Sequence, residues 1–456
     1  MNLRRAAAVA GAAGLLMAAT AAPAAAIEPP DISGIPRTVP DDPNPGPPVP
    51  MQQRSTCATS ATLDRSDFER PAPANVAFEV EGLHQYATGK GVTVAVIDSG
   101  VSPNSRLPRL TGGGDYIATT NGLEDCDHHG TLVAGIIAAT PSDSDGFVGV
   151  APDASILSIR QTSSAYEPAD KGPDAPPGGA STLATLARSI VRAANSNVDV
   201  INLSITACYP VDQFVDTSDV AAALRYAVET KDVVVITAAG NSDSEACSSN
   251  PGYDPSNGGD PRNWNGVTHV SMPSFYGPLA LSVGGTTLTG EPYAGTMAGP
   301  WVAVGAPAVD ITSLDPTKGD AGGLTNAVVG KDGPRPITGT SFASAYVAGL
   351  AALIREKYPD MSAREVMERI SNTAHTPGSG DRNLIGGGVV DPVAALTSTS
   401  AHVPAAIAPP SRADHSTDPA APDTLVRTIV IIVVVGLCAL GLVIAVAHRM
   451  LREDRS

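Results

Sequence analysis

Five short runs of aliphatic and β-branched residues recur along the middle of this chain: Val92–Ile97, Ile156–Ile159, Val198–Leu203, Val233–Thr237 and Leu279–Val283. None alternates apolar with polar side chains, as a strand with one wet face would. Strands buried on both faces read as continuous apolar runs. Helix-period stretches intervene, among them Ser181–Ala194 and Asp219–Thr230. Parallel strands need a crossover between them, and a helix is the usual one. The pattern therefore predicts an α/β domain with a parallel sheet flanked by helices. A further apolar helix is expected over Phe342–Ile354, and another opens at Ser362, with Glu365 completing a capping box. In open parallel sheets ligands bind beyond the carboxyl ends of the strands. Asp98, Ser204 and Asn241 all stand at such ends and are expected to share one cleft.

Three segments supply chemistry for that cleft. Asp98 lies in Val96-Ile97-Asp98-Ser99-Gly100, His129 in Asp127-His128-His129-Gly130-Thr131, and Ser341 in Gly339-Thr340-Ser341-Phe342-Ala343. A serine hydroxyl is a weak nucleophile at neutral pH unless a neutral imidazole accepts its proton. A buried carboxylate then fixes the imidazole tautomer and stabilises the imidazolium as it forms. Asp98 is read as the orienting carboxylate, His129 as general base and then acid, and Ser341 as nucleophile. Ser341 precedes a helical run, so it is expected near a helix N-terminus, whose dipole favours developing negative charge. Asn241 ends the Val233–Thr237 strand region and offers an amide to an oxyanion beside the Ser341 N–H. Singly, Asp98 is equally a strand-end turn residue and Ser341 a helix cap; it is the set that carries the reading.

The order Asp, His, Ser and the frames around each residue resemble the subtilisin-like serine proteases, or subtilases, over roughly Val76–Leu396. The family frame His-Gly-Thr selects His129 and leaves His128 as a surface or supporting residue. On the same resemblance Ser204, Ile205, Ala239 and Gly240 are assigned to substrate binding, no cofactor is implied, and no dense carboxylate loop compels a metal site. Subtilases usually follow the Val200–Ile205 segment with two glycines. Here Thr206 and Ala207 stand there, then Cys208, which implies a crowded cleft and slow, selective cleavage.

The ends define the rest of the organisation. Residues 1–26 carry Arg4 and Arg5, an apolar run and Ala24-Ala25-Ala26, the pattern of a secretory signal peptide. Residues 27–75 are rich in Pro and Asp, without hydrophobic period, and read as an extension wrapping the peptidase domain at 76–396. Residues 397–424 form a Pro/Ala-rich linker, 425–447 a transmembrane helix and 448–456 a cytoplasmic tail. Thr428–Ala447 is 20 residues without a charge, about 30 Å as a helix and enough to span a bilayer. Arg449 and Arg452 beyond it place the tail inside and the catalytic domain outside the cell membrane. Two further stretches, Thr162–Ala180 and Leu314–Arg335, read as inserted surface loops.

Cys57, Cys126, Cys208 and Cys247 lie in the exported part, and Cys438 in the membrane segment. Four cysteines allow three pairings. Proximity to the motifs favours Cys57–Cys126 and Cys208–Cys247. A formal charge of −17 argues against a nucleic-acid binder, which needs a basic face. Signal peptide, tethered Pro-rich extension, Asp-His-Ser domain, stalk and single membrane helix together resemble the mycosins, membrane-anchored subtilases of type VII secretion systems. That resemblance implies limited proteolysis of secreted protein substrates and docking onto the secretion membrane complex. A mainly structural role in that complex is the competing expectation.

Overall fold

The computed structural model describes residues 27–399 apart from residue 43 and the segments 171–179, 243–246 and 377–380. The expected signal peptide, most of the linker, the membrane helix and the cytoplasmic tail lie outside the described residues. Among the described residues no helix is long and apolar enough to cross a membrane.

Seven strands form the central sheet: β1 (Thr93–Asp98), β2 (Leu110–Asp115), β3 (Ser155–Arg160), β4 (Val200–Leu203), β5 (Val234–Ala238), β6 (Leu281–Thr286) and β7 (Val304–Pro307). Every pairing is parallel, in the order β7-β6-β5-β4-β1-β3-β2. All five expected strands are present, shifted by one to three residues at their ends. The progression of strands reverses around β1, so the crevice beyond its carboxyl end is a topological switch point. Asp98 is the last residue of β1.

Helices cover the sheet: α1 (His129–Ala138), α2 (Leu183–Asn195), α3 (Ser218–Arg225), α4 (Thr340–Lys357) and α5 (Ala363–Thr373). The stretch expected as one helix over Asp219–Thr230 continues after α3 as a π-turn over Tyr226–Thr230. At α5, Ser362 and Glu365 form the capping box read from the sequence. The helix α4 is buried from Thr340 to Arg355, so its small side chains serve close packing. A Cβ on Gly349 would come within 2.5 Å of Val150, which explains a glycine inside a buried helix.

Leu314–Arg335 is not a plain surface loop. It forms a short pair, Ser313–Leu314 with Leu324–Thr325, and a hairpin, Ala327–Gly330 with Gly333–Pro336. The hairpin pairs in turn with Ser60–Ala61 of the extension. In the other insert Tyr166–Pro168 pairs with Met51–Gln53, also from the extension. Tyr166–Pro168 and the hairpin are thus each paired with a partner distant in sequence. Further along, Asp42 receives the Arg188 and Arg192 guanidiniums and the Tyr116 hydroxyl. The extension is thereby tied to α2 and to the residue following β2.

Candidate active site

Asp98 is fully buried at the end of β1, and one carboxylate oxygen accepts the Ser99 amide at 2.6 Å and Nδ1 of His129 at 2.7 Å. Nδ1–H donating to Asp98 leaves Nε2 as the basic nitrogen of the neutral ring. His129 is the first residue of α1, with its side chain 31% exposed. Gly130 must be glycine here: a Cβ would lie 2.0 Å from the Gly100 carbonyl oxygen. Its amide donates to the Ser99 hydroxyl at 2.9 Å, which locks the helix start against the end of β1.

Burial opposes the imidazolium, but the Asp98 charge and hydrogen bond outweigh it, with the Asp125 and Asp127 charges adding to them. The His129 pKa is thereby held above its ordinary value. Asp125, which sequence reasoning missed, is buried and accepts from the Ser99 hydroxyl, the Thr131 amide and the Thr131 hydroxyl. Burial pushes its own pKa up against those hydrogen bonds. It bridges the residue after Asp98 and the helix turn after His129. The available signal was an acidic residue four positions ahead of a helix-starting histidine.

Ser341 is the second residue of α4, 7% exposed, and the Phe342 ring lies tilted against His129 with 5.3 Å between ring centroids. The Ser341 carbonyl accepts from the Ser204 hydroxyl at 3.0 Å and from Ser344 at 2.8 Å. Ser204 in turn accepts the Asn202 amide at 2.6 Å. These contacts pin the start of α4 to the end of β4. Asn202 and Ser344 were not anticipated, because a buried polar residue inside a strand or helix has no local signature.

Asn241 follows β5 and is anchored by its side-chain oxygen, which accepts the Thr340 amide at 3.0 Å and the Thr340 hydroxyl at 3.2 Å. A backbone N–H only donates, so the amide orientation is fixed and its NH2 end is a donor on the residue bound to Thr340, the neighbour of Ser341. A cavity of about 300 Å³ opens at this end of the sheet, lined by Asp98 and His129 and by Ser204, Ile205, Thr206 and Ala207. Ala239 and Gly240 lie on the turn between β5 and Asn241, outside the lining of this cavity; Ala239 is fully buried in a small cluster with Met297 and Trp301.

His128 is not at the surface: it is 5% exposed, with Nδ1 2.9 Å from the Ser60 hydroxyl. Cys57 is bonded to Cys126, three residues before His129, and Cys208 to Cys247. Among the described residues no group of three or more His, Cys, Asp or Glu side chains is arranged to hold a metal ion.

A model of the subtilase family matches residues 89–395. Mycosin-1 of Mycobacterium tuberculosis is 50% identical over 383 residues, covering 83% of this chain and 84% of that protein. The structure of MycP3 protease from the type VII (ESX-3) secretion system superposes with a TM-score of 0.75 at 48% identity, over 82% of this chain and 100% of that one. A chain of the intact ESX-5 inner membrane complex gives a TM-score of 0.75 at 38% identity, over 91% and 98%.

Proposed function

This chain belongs to the subtilase family, and on that premise, together with its likeness to mycosins, we propose that it is a membrane-anchored serine endopeptidase of a type VII secretion machine. In this reading Ser341 Oγ attacks a peptide carbonyl while His129 Nε2 takes its proton. Asp98 holds the ring and stabilises the imidazolium. The tetrahedral oxyanion is met by the Ser341 amide and the Asn241 NH2 group. His129 then protonates the leaving amine, and a water molecule, deprotonated by the same ring, releases the acyl product and restores Ser341. Ser204 and Ile205 line the acyl side of the cleft, while Ala239 and Gly240, buried outside its lining, carry the turn that positions Asn241. Residues 425–447 anchor the domain outside the cell membrane.

The observation that carries this reading is the 2.7 Å contact of His129 with a carboxylate having no solvent exposure, at the switch point of the sheet. The direct test is labelling of the detergent-extracted protein with an alkyl fluorophosphonate. Labelling lost in Ser341→Ala and His129→Ala supports it; no labelling of the folded, oxidised protein refutes it.

A second reading, a mainly structural subunit with secondary proteolysis, is favoured by the similar chain that sits in the ESX-5 inner membrane complex. Replacing the gene by Ser341→Ala separates the two. Secretion that needs the protein yet survives this change assigns the weight to structure, whereas loss assigns it to proteolysis.

A further inference from the structure

The fixed charge on the described lining of the cavity beside His129 is of one sign. Among the described residues that lining includes two carboxylates, Asp98 and Asp127, and no lysine or arginine. The two acids differ in what they are free to do. Asp98 is fully buried and committed to His129. Asp127 is partly exposed at the cavity wall and is fixed by the Ser163 hydroxyl at 2.5 Å, the Ser164 amide at 2.7 Å and the Ser164 hydroxyl. All three donors are neutral, so they aim the carboxylate without cancelling its charge. A carboxylate has about four acceptor positions, which leaves roughly one open. Asp42, Asp115 and Asp145 each meet an arginine. Asp127 forms no ion pair among the described residues, and its charge is felt at His129.

Both flanks of Asp127 are held. On one side Cys126 is bonded to Cys57; on the other, the chain after Ser164 enters the strand Tyr166–Pro168, paired with Met51–Gln53. The carboxylate is thus preorganised, which lowers the cost of receiving a ligand. Away from it the lining turns apolar through Leu183, Leu186 and Ile205.

We propose that this cleft selects peptides presenting a lysine or arginine side chain to Asp127, with an aliphatic neighbour seated on Leu183, Leu186 and Ile205. This rests on the protease reading of the same site. A cation gains a carboxylate held in place and carrying no ion pair among the described residues. With His129 neutral, as the reaction requires, an acidic side chain meets two carboxylates and no lysine or arginine among the described lining residues. Selectivity arises from that difference.

The test uses the detergent-extracted protein and two kinds of serine probe. One is a plain alkyl fluorophosphonate, which ignores the peptide subsites. The other is a set of alanine-based peptidyl diphenyl phosphonates carrying lysine, norleucine or glutamate at each position in turn. At one position lysine is expected to react about tenfold faster than norleucine, and glutamate slower still. The lysine preference shrinks as salt is raised, a readout that needs no variant. It falls to about unity in Asp127→Asn and reverses toward glutamate in Asp127→Lys, each rate taken relative to the plain probe in the same preparation. Plain labelling without a lysine preference at any position, or a preference that survives Asp127→Asn, overturns this proposal alone. Absence of plain labelling overturns the protease reading and this proposal with it.

Discussion

Ser60 of the N-terminal extension places its hydroxyl 2.9 Å from Nδ1 of His128, the residue immediately ahead of His129. His128 is buried and holds a left-handed backbone at φ 63°. Two more ties lie beside it: the Ala58 amide donates to the Cys126 carbonyl at 2.8 Å, and Cys57 is bonded to Cys126. Residues 57–60 thus grip the segment that leads into α1. Removing the hydroxyl in Ser60→Ala leaves a buried imidazole nitrogen without its partner, at a cost of about 1–3 kcal/mol. The expected outcome is a lower Tm in thermal melts together with slower fluorophosphonate labelling. An unchanged Tm contradicts the contact.

The raised His129 pKa sets a pH dependence. The general base works only when neutral, so labelling rate and kcat/KM should rise with pH through a value above about 6.5, the ordinary histidine value. The folded state binds this proton more tightly than the unfolded chain. That contribution to stability is fully present below the unfolded pKa and is lost as pH rises through the folded one. Asp98→Asn removes the charge that lifts the pKa, and should move the acid limb downward while cutting the rate by about 10⁴. A rate–pH profile of both proteins checks this; a limb that stays in place in Asp98→Asn argues against the assignment.

Thr206 and Ala207 line the cavity where subtilases usually carry glycines. Ala207 is also the first residue of a strand, Ala207–Pro210, paired with His269–Met272, so its backbone has less freedom to yield. Thr206 lies outside that ladder. Casein turnover should be slow in the natural protein and about tenfold faster in Thr206→Gly, the scale at which a cleft responds to a small change in volume. Comparable turnover of both proteins, at the rate of a digestive subtilisin, contradicts crowding.

Much of the site was legible because its chemistry fixes residue types at positions with local signals. Asp98 ends a continuous apolar run, His129 and Ser341 each open a helix, and Asn241 follows another such run. What was not legible depends on distant partners. The strand β2 reads Leu-Thr-Gly-Gly-Gly-Asp, which has no strand propensity. Its glycines answer packing instead: a Cβ on Gly113 would stand 2.8 Å from Ile159. The hairpin at Ala327–Gly330 was hidden for the same reason, since its outer partner, Ser60–Ala61, lies in the extension. His128 read as a surface or supporting residue because nothing local indicates that Ser60 reaches it. The buried Asp125 and Asn202 carry no periodic signal at all.

Asp42 offers a separate test of the extension. Its side chain is 2% exposed and lies against Arg188 and Arg192, which are 26% and 20% exposed. Asp42→Ala strands two partly wet guanidiniums, so the cost is discounted below the fully buried case to about 2–4 kcal/mol. The Tyr116 hydroxyl loses its acceptor as well. Limited trypsin digestion should cut the variant within residues 27–56 at concentrations that leave the natural protein intact. Equal resistance contradicts a clamp at this point.

The central claim is that Ser341 is the nucleophile, and the most direct measurement maps the adduct. The detergent-extracted protein is reacted with an alkyl fluorophosphonate, digested, and sequenced by tandem mass spectrometry. The account predicts one adduct, on the peptide containing Gly339-Thr340-Ser341-Phe342, carried by the Ser341 hydroxyl and absent in His129→Ala. An adduct on any other residue, or one on Ser341 that forms equally fast without His129, contradicts it.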